Sequence, residues 1–115
     1  DIHAETTSEK VNMYFHADAR VSAVLGTHTH VMTADARVSP HGTAFITDVG
    51  MTGAAHESLG IRHEGTLRSF LTQMKERHVI PEKGQSQLNA VIIKTDDKSG
   101  KARGIYPLVE FTKIK

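Results

Sequence analysis

The stretch "VLGTHTHVMT", residues 24–33, sets two imidazoles one residue apart just beyond a short apolar run and a glycine. On extended backbone that spacing turns His28 and His30 to the same side. In a loop leaving a strand they can face one ion or two neighbouring ions. Neutral imidazole is the commonest protein metal ligand and suits transition ions. Taken alone, an H-x-H more often describes a pair of solvated loop histidines. His3, in "DIHAE", changes the balance. If "DIH" ends a strand, His3 leaves one strand end while His28 and His30 leave another, and sites in α/β sheets gather at such edges. Three histidines from two neighbouring strand ends make a partial coordination sphere.

The surrounding pattern supplies elements that could position them. Thr6 three residues before Glu9 fits a capping box opening a helix over 6–19, with Val11, Tyr14, Phe15 and Ala19 as a partial apolar stripe. "VSAVL" (21–25) reads as a short buried strand that Gly26 ends. Residues 31–39 fit no single element, and "SPHG" (39–42) is a turn. "TAFIT" (43–47) reads as a strand. Residues 48–60, with three glycines and no helical period, read as a long surface loop of the kind that serves a site. Leu67, Phe70, Leu71 and Met74 recur at helical spacing within 64–78, where Lys75, Arg77 and His78 suit the negative end of the dipole. Two strands, 87–96 and 102–111, flank the hairpin loop "DDKSGKA". Pro107 argues for an edge position or a bulge.

Composition bounds the function. The 115 residues make one mixed α/β unit, long enough for a hydrophobic core of its own. A net charge of +1 predicts no strong attraction to nucleic acid or to a membrane surface. The absence of cysteine excludes disulfides, thiolate metal sites and cysteine nucleophiles. No apolar stretch approaches the ~20 residues that span a bilayer, and no basic-then-apolar signal segment opens the chain. Histidine, at eight of 115, is in excess.

In order and spacing, "DIHAETTSEK", "VSAVLGTHTHV", "TADARV" and "GTAFITDVGMTG" resemble the C-terminal half of the YmdB-like metallophosphoesterases, a branch of the calcineurin-like fold. The resemblance runs from residue 1 to about residue 80, and more loosely beyond. Thr27 in "GTHTH" departs from the superfamily's glycine-histidine-x-histidine signature and agrees with this branch. The resemblance implies an α/β fold, the C-terminal half of a four-layer α/β/β/α sandwich with mixed sheets. It also implies a cytoplasmic phosphodiesterase acting on cyclic nucleotides, above all 2′,3′-cyclic nucleotides, through two metal ions, usually iron or manganese. Residue by residue, it implies that His3 and His28 share one ion and that His30 serves the other. Glu5 and Asp48, by proximity to the motifs, are candidates for the acceptors that orient such histidines. His16, His41, His56, His63 and His78 read as ordinary surface histidines. Met51 and Thr52 could face either substrate or packing.

The family's carboxylate and asparagine ligands and its proposed general acid lie in the N-terminal half, to which nothing in residues 1–115 corresponds. Asp1 stands where a complete translation product has Met. The expectation is therefore half a site: a chain inactive or nearly so by itself. Its exposed apolar faces should need a partner, either the missing N-terminal half or another copy. Two alternatives remain open at this stage. One is a non-catalytic α/β interaction or regulatory module that keeps the fold. The other is a mononuclear hydrolase with three histidines on one ion.

Overall fold

The tightest apolar packing surrounds the strand made by "AFI". A computed structural model of the chain describes residues 1–114 and shows a mixed α/β architecture with two sheets. Two compact units can be distinguished, Asp1–Gly50 with Asn89–Leu108, and Met51–Leu88 with the residues from Val109 onward.

The first unit holds β1 (Ile2–His3), α1 (Thr7–Ala17), β2 (Ala23–Thr27), β3 (Arg37–Val38) and β4 (Ala44–Ile46). The strands lie in the order β1-β2-β4-β3. β1 and β4 each pair parallel to β2, and β3 runs antiparallel to β4. Ala44, Phe45 and Ile46 are all fully buried, as expected of an interior strand of a mixed sheet. α1 lays Tyr14 and Ala17 on this sheet, in one cluster with Val24 and Phe45. The Tyr14 and Phe45 rings stack at 4.6 Å, and the Arg37 guanidinium lies over both.

Several local expectations change here. The Thr6 hydroxyl donates to the Glu9 carboxylate, and no side chain caps a backbone N–H, so the capping box does not form. Phe15 and Ala19 are exposed, and the buried stripe of α1 is Lys10, Tyr14 and Ala17. Gly26 does not end β2. It sits buried inside the strand, where an added Cβ would lie 1.7 Å from the Thr47 carbonyl oxygen and 2.9 Å from Lys10 Cδ. This glycine is required by close approach, not by a turn.

The second sheet has the order β5-β6-β7, from β5 (Thr52–Ala54), β6 (Gly84–Thr95) and β7 (Ala102–Ile114). Both strands of the β6–β7 hairpin run through both units. Its tip lies in the first unit and is tied by Asp96. One carboxylate oxygen accepts from Ser99 N at 2.9 Å and from Ser99 Oγ at 2.8 Å, and the other accepts from Arg103 at 3.2 Å. Pro107 lies in β7, which the strand order puts at an edge.

In the second unit, part of the expected 48–60 loop is strand. β5 pairs antiparallel with β6, Thr52 opposite Leu88, and Ala54 and Ala55 are buried. "TGA" carries no alternating apolar signal, so only its pairing partner reveals it. α2 spans His63–Thr72, shorter than the 64–78 periodicity suggests. Gln73 turns left-handed at φ 60 and its N–H closes on Ser69 O. The following residues fold back, with Arg68 pairing to Glu76 at 2.8 Å and Arg62 N donating to Val79 O. Lys75, Arg77 and His78 therefore do not sit at the helix end. Phe70, Leu71 and Met74 are 70% exposed or more. No helix among the described residues is long and apolar enough to cross a membrane.

These contacts can be tested by substitution. Gly26→Ala should lower stability by ~3 kcal/mol or more, at the upper end of overpacking penalties, read as a drop in the urea midpoint. An unchanged midpoint would contradict the close approach. The backbone hydrogen bond from Ser99 is the largest cause that lowers the Asp96 carboxyl from 3.8 to about 2. Its stabilising contribution is complete above the unfolded value and disappears as pH falls through about 2. Asp96→Asn should thus lower the midpoint at pH 6, and wild type and variant should converge near pH 2. A gap independent of pH would exclude this carboxylate as the cause.

Candidate metal centre

Parallel pairing brings the carboxyl ends of β1, β2 and β4 to one edge. Ile2 lies opposite Gly26 and His3 opposite Thr27, while Leu25 lies opposite Ile46. His28 follows the last residue of β2, and Asp48 follows β4 by two. Two sequence segments far apart along the chain therefore deliver their histidines together. His28 Nδ1 stands 3.2 Å from His3 Nε2, with the rings edge to face at 5.0 Å between centroids.

The ring of His3 is oriented from its other nitrogen. Nδ1 lies 3.1 Å from Thr27 Oγ1, and the Thr27 hydroxyl donates to Asp1 Oδ1 at 3.3 Å. A hydroxyl carries one proton, so with that proton on Asp1 the oxygen accepts from His3 Nδ1–H. The network thus assigns the Nδ1–H tautomer to His3 and leaves the Nε2 lone pair directed at His28. Such an outer hydrogen bond is what fixes the orientation of metal-binding histidines. Sequence reasoning does not single out Thr27 as an orienting residue. Its one signal is its place in "GTHTH", as the residue that separates this motif from the superfamily form.

The loop bearing His28 and His30 is strained. Both residues have positive φ, 144° and 64°, in a region that costs an L-residue ~1–3 kcal/mol and that clusters at functional sites. Both are exposed. Thr29 between them donates its N–H to Asp48 Oδ2 at 2.8 Å. His30 does not join the close pair. Among the described residues, His3, His28 and His30 are not a group with ligand atoms all within 4.8 Å of one another.

Asp48 is fully buried. Its carboxylate accepts from Thr29 N, from Gly50 N at 2.9 Å and from Lys10 Nζ at 3.3 Å. Burial opposes its ionisation, but these hydrogen bonds, foremost that from Thr29, outweigh burial and hold the carboxyl below its ordinary value. Lys10, equally buried, also escapes the sequence reading. Its clue is a lysine in register with Tyr14 and Ala17 on the inward stripe of α1. Glu5 is exposed in the β1–α1 connection.

The remaining histidines have local partners or solvent. His41 pairs with Asp18 at 2.7 Å, and His56 meets Gln85 Oε1 at 3.0 Å. His16 and His78 are exposed. Met51 is half-buried and Thr52 exposed. In the second unit, Glu57, His63 and Glu64 form a compact group of metal-type donors. There Glu57 Oε2 already accepts from both His63 N and His63 Nδ1, each at 2.8 Å, so a local ion pair accounts for the grouping.

The assigned tautomer is testable. Nitrogen-15 NMR of the metal-free chain should find His3 protonated at Nδ1. Thr27→Val, nearly isosteric but without the hydroxyl, should abolish that preference while the fold persists. Identical His3 tautomers in the two proteins would show that Thr27 does not orient the ring.

Comparison with known proteins agrees with the motif order. Residues 1–108 match the family model described as YmdB-like protein. A protein of Bacillus subtilis (strain 168) named 2′,3′-cyclic-nucleotide 2′-phosphodiesterase is 49% identical over 102 residues, which cover 89% of this chain and 38% of that protein. A crystal structure of a novel phosphatase from Mycoplasma pneumoniae matches with a TM-score of 0.87 and 36% identity, covering 95% of this chain and 39% of the other. A hypothetical protein from Thermus thermophilus matches with a TM-score of 0.85 and 41% identity, covering 95% of this chain and 42% of the other. The chain thus spans about two fifths of the length of these relatives. Its motifs, its fold and the match over residues 1–108 establish that the chain belongs to the YmdB-like family.

Proposed function

We propose that this chain supplies part of a dinuclear metal centre in a phosphodiesterase that hydrolyses cyclic nucleotides, 2′,3′-cyclic nucleotides foremost. His3 and His28 hold one ion and His30 the second, with iron or manganese as the metals. The observation that carries the reading is the 3.2 Å approach of His3 Nε2 to His28 Nδ1. Two imidazole nitrogens each ~2.0–2.1 Å from one ion lie roughly 2.8–3.4 Å apart for right-angle to tetrahedral geometry. In the metal-free chain the His28 Nδ1–H donates to His3 Nε2; an ion would take the place of that proton, with the two nitrogens already at a matching separation. Among the described residues His30 is not grouped within 4.8 Å with both His3 and His28, which suits a ligand to a second ion. The name of the Bacillus subtilis relative supports the substrate class.

When bound, a metal pair polarises the phosphate and lowers the pKa of a bound water. The chain's own residues do the positioning. His3 and His28 bring their ring nitrogens together from adjoining strand ends, Thr27 sets the His3 ring, and the strained loop aims His28 and His30. The same proposal covers the fold at large: residues 1–115 form the C-terminal part of a calcineurin-like four-layer sandwich. The other ligands and the general acid come from the N-terminal part. The exposed apolar residues of α2 support a covering partner, either that part or another copy.

Manganese binding by calorimetry, measured on the chain fused behind the N-terminal part of the Bacillus subtilis relative, tests the ligands. His3→Ala and His28→Ala should each weaken one site by more than ~100-fold, beyond the effect of removing an outer partner, and His30→Ala should affect a different ion. Hydrolysis of 2′,3′-cyclic AMP should be negligible for the chain alone and appear when the N-terminal part of the Bacillus subtilis relative is fused ahead of Asp1. One tight ion lost with any of the three substitutions would favour the mononuclear alternative. An inactive fusion that binds no metal would favour a non-catalytic module. Turnover by the chain alone would refute the half-site reading.

A further inference from the structure

We propose that Lys10 and Asp48 form a buried strap that holds the histidine loop in its strained shape, so that Lys10 is a positioning residue for His28 and His30. The proposal rests on the reading of these histidines as metal ligands.

The geometry is specific. Thr29 lies between two residues with positive φ, and its N–H is bonded to Asp48 Oδ2. The strap therefore grips the loop at the one backbone position that His28 and His30 flank. The other Asp48 oxygen accepts from Gly50 N, which joins the end of β4 to the same anchor. One side chain thus fixes two loops, and it needs two acceptor oxygens to do so. Asparagine has only one. The anchor must be a carboxylate, and at zero exposure a carboxylate needs a cation beside it. Lys10 provides that cation with its own side chain 1% exposed. It reaches Asp48 because Gly26 has no side chain: the lysine stem passes 2.9 Å from where a Cβ would stand. Loss of the strap would let φ at His28 relax and carry Nδ1 away from His3 Nε2. A buried ion pair adds little net stability compared with apolar replacements, so fixing a conformation is the better account of its presence.

The test compares wild type with the K10M/D48N double variant, which removes both charges and leaves one acceptor oxygen. The urea midpoint and amide hydrogen exchange are measured on the metal-free full chain, and manganese affinity on the same chain fused behind the N-terminal part of the Bacillus subtilis relative. The expected result is a folded variant in which Thr29 exchanges at least about 100-fold faster while amides within β2 and β4 keep their protection. Manganese should bind about 10–100-fold more weakly. A folded variant with unchanged Thr29 protection and unchanged manganese affinity would overturn the strap. If the double variant does not fold, the wild-type Thr29 amide decides: strong protection supports the proposal and exchange at the free-chain rate overturns it. Loss of manganese binding in His3→Ala but not in K10M/D48N would sink the strap alone. Absence of manganese binding in the wild-type fusion would sink the ligand reading, with the strap still judged by amide exchange.

Discussion

The absence of a side chain at Gly26 governs the first unit. A single carbon there would collide with the Thr47 carbonyl and with the Lys10 stem. Because that carbon is missing, β2 lies tight beneath Lys10 and beside the end of β4. The lysine can then cross the strand to Asp48, and Asp48 can reach the backbone on both sides of the strand ends. The Tyr14–Phe45 stack holds α1 on the sheet from which Lys10 extends. Each contact depends on the one before. The apolar core sets the helix, the helix places a cation, the cation permits a buried anion, and the anion fixes the loop that displays the histidines.

Much of this is legible in the chain and some is not. The turn chemistry of "DDKSGKA" and the β-branched and aromatic content of "TAFIT" locate a hairpin and a buried strand, because those signals act locally. His3, His28 and His30 can be placed at strand ends from the sequence pattern alone. Their distances cannot, because the His3–His28 approach is set by the parallel register of β1 with β2, and register depends on a partner that no local pattern names. Gly26 misleads for a related reason. Glycine is the residue of turns and also of close approach, and only the lysine and carbonyl across from it tell the two apart. The 64–78 pattern overextends its helix because periodicity in Leu67, Phe70, Leu71 and Met74 measures which residues would share a face. It does not measure where a left-handed Gln73 stops the helix. β5 escapes notice because three residues with little apolar content become a strand only by pairing.

The division of labour at the strand edge is also physical. His3 belongs to a strand and is oriented by a hydroxyl on the neighbouring strand, so its position comes from sheet geometry. His28 and His30 belong to a loop whose backbone is disfavoured for any residue with a side chain. Regular structure supplies one half of the arrangement, and a locally unfavourable conformation supplies the other.

That unfavourable conformation has a consequence for how this sequence can vary. At φ 64° and φ 144°, glycine would be more comfortable than histidine. Selection for stability alone would therefore drift these two positions toward glycine and erase the imidazoles. On the proposed ligand role, the two histidines are folding energy given up for side-chain chemistry, and a variant that gains thermal stability here would be expected to lose metal affinity.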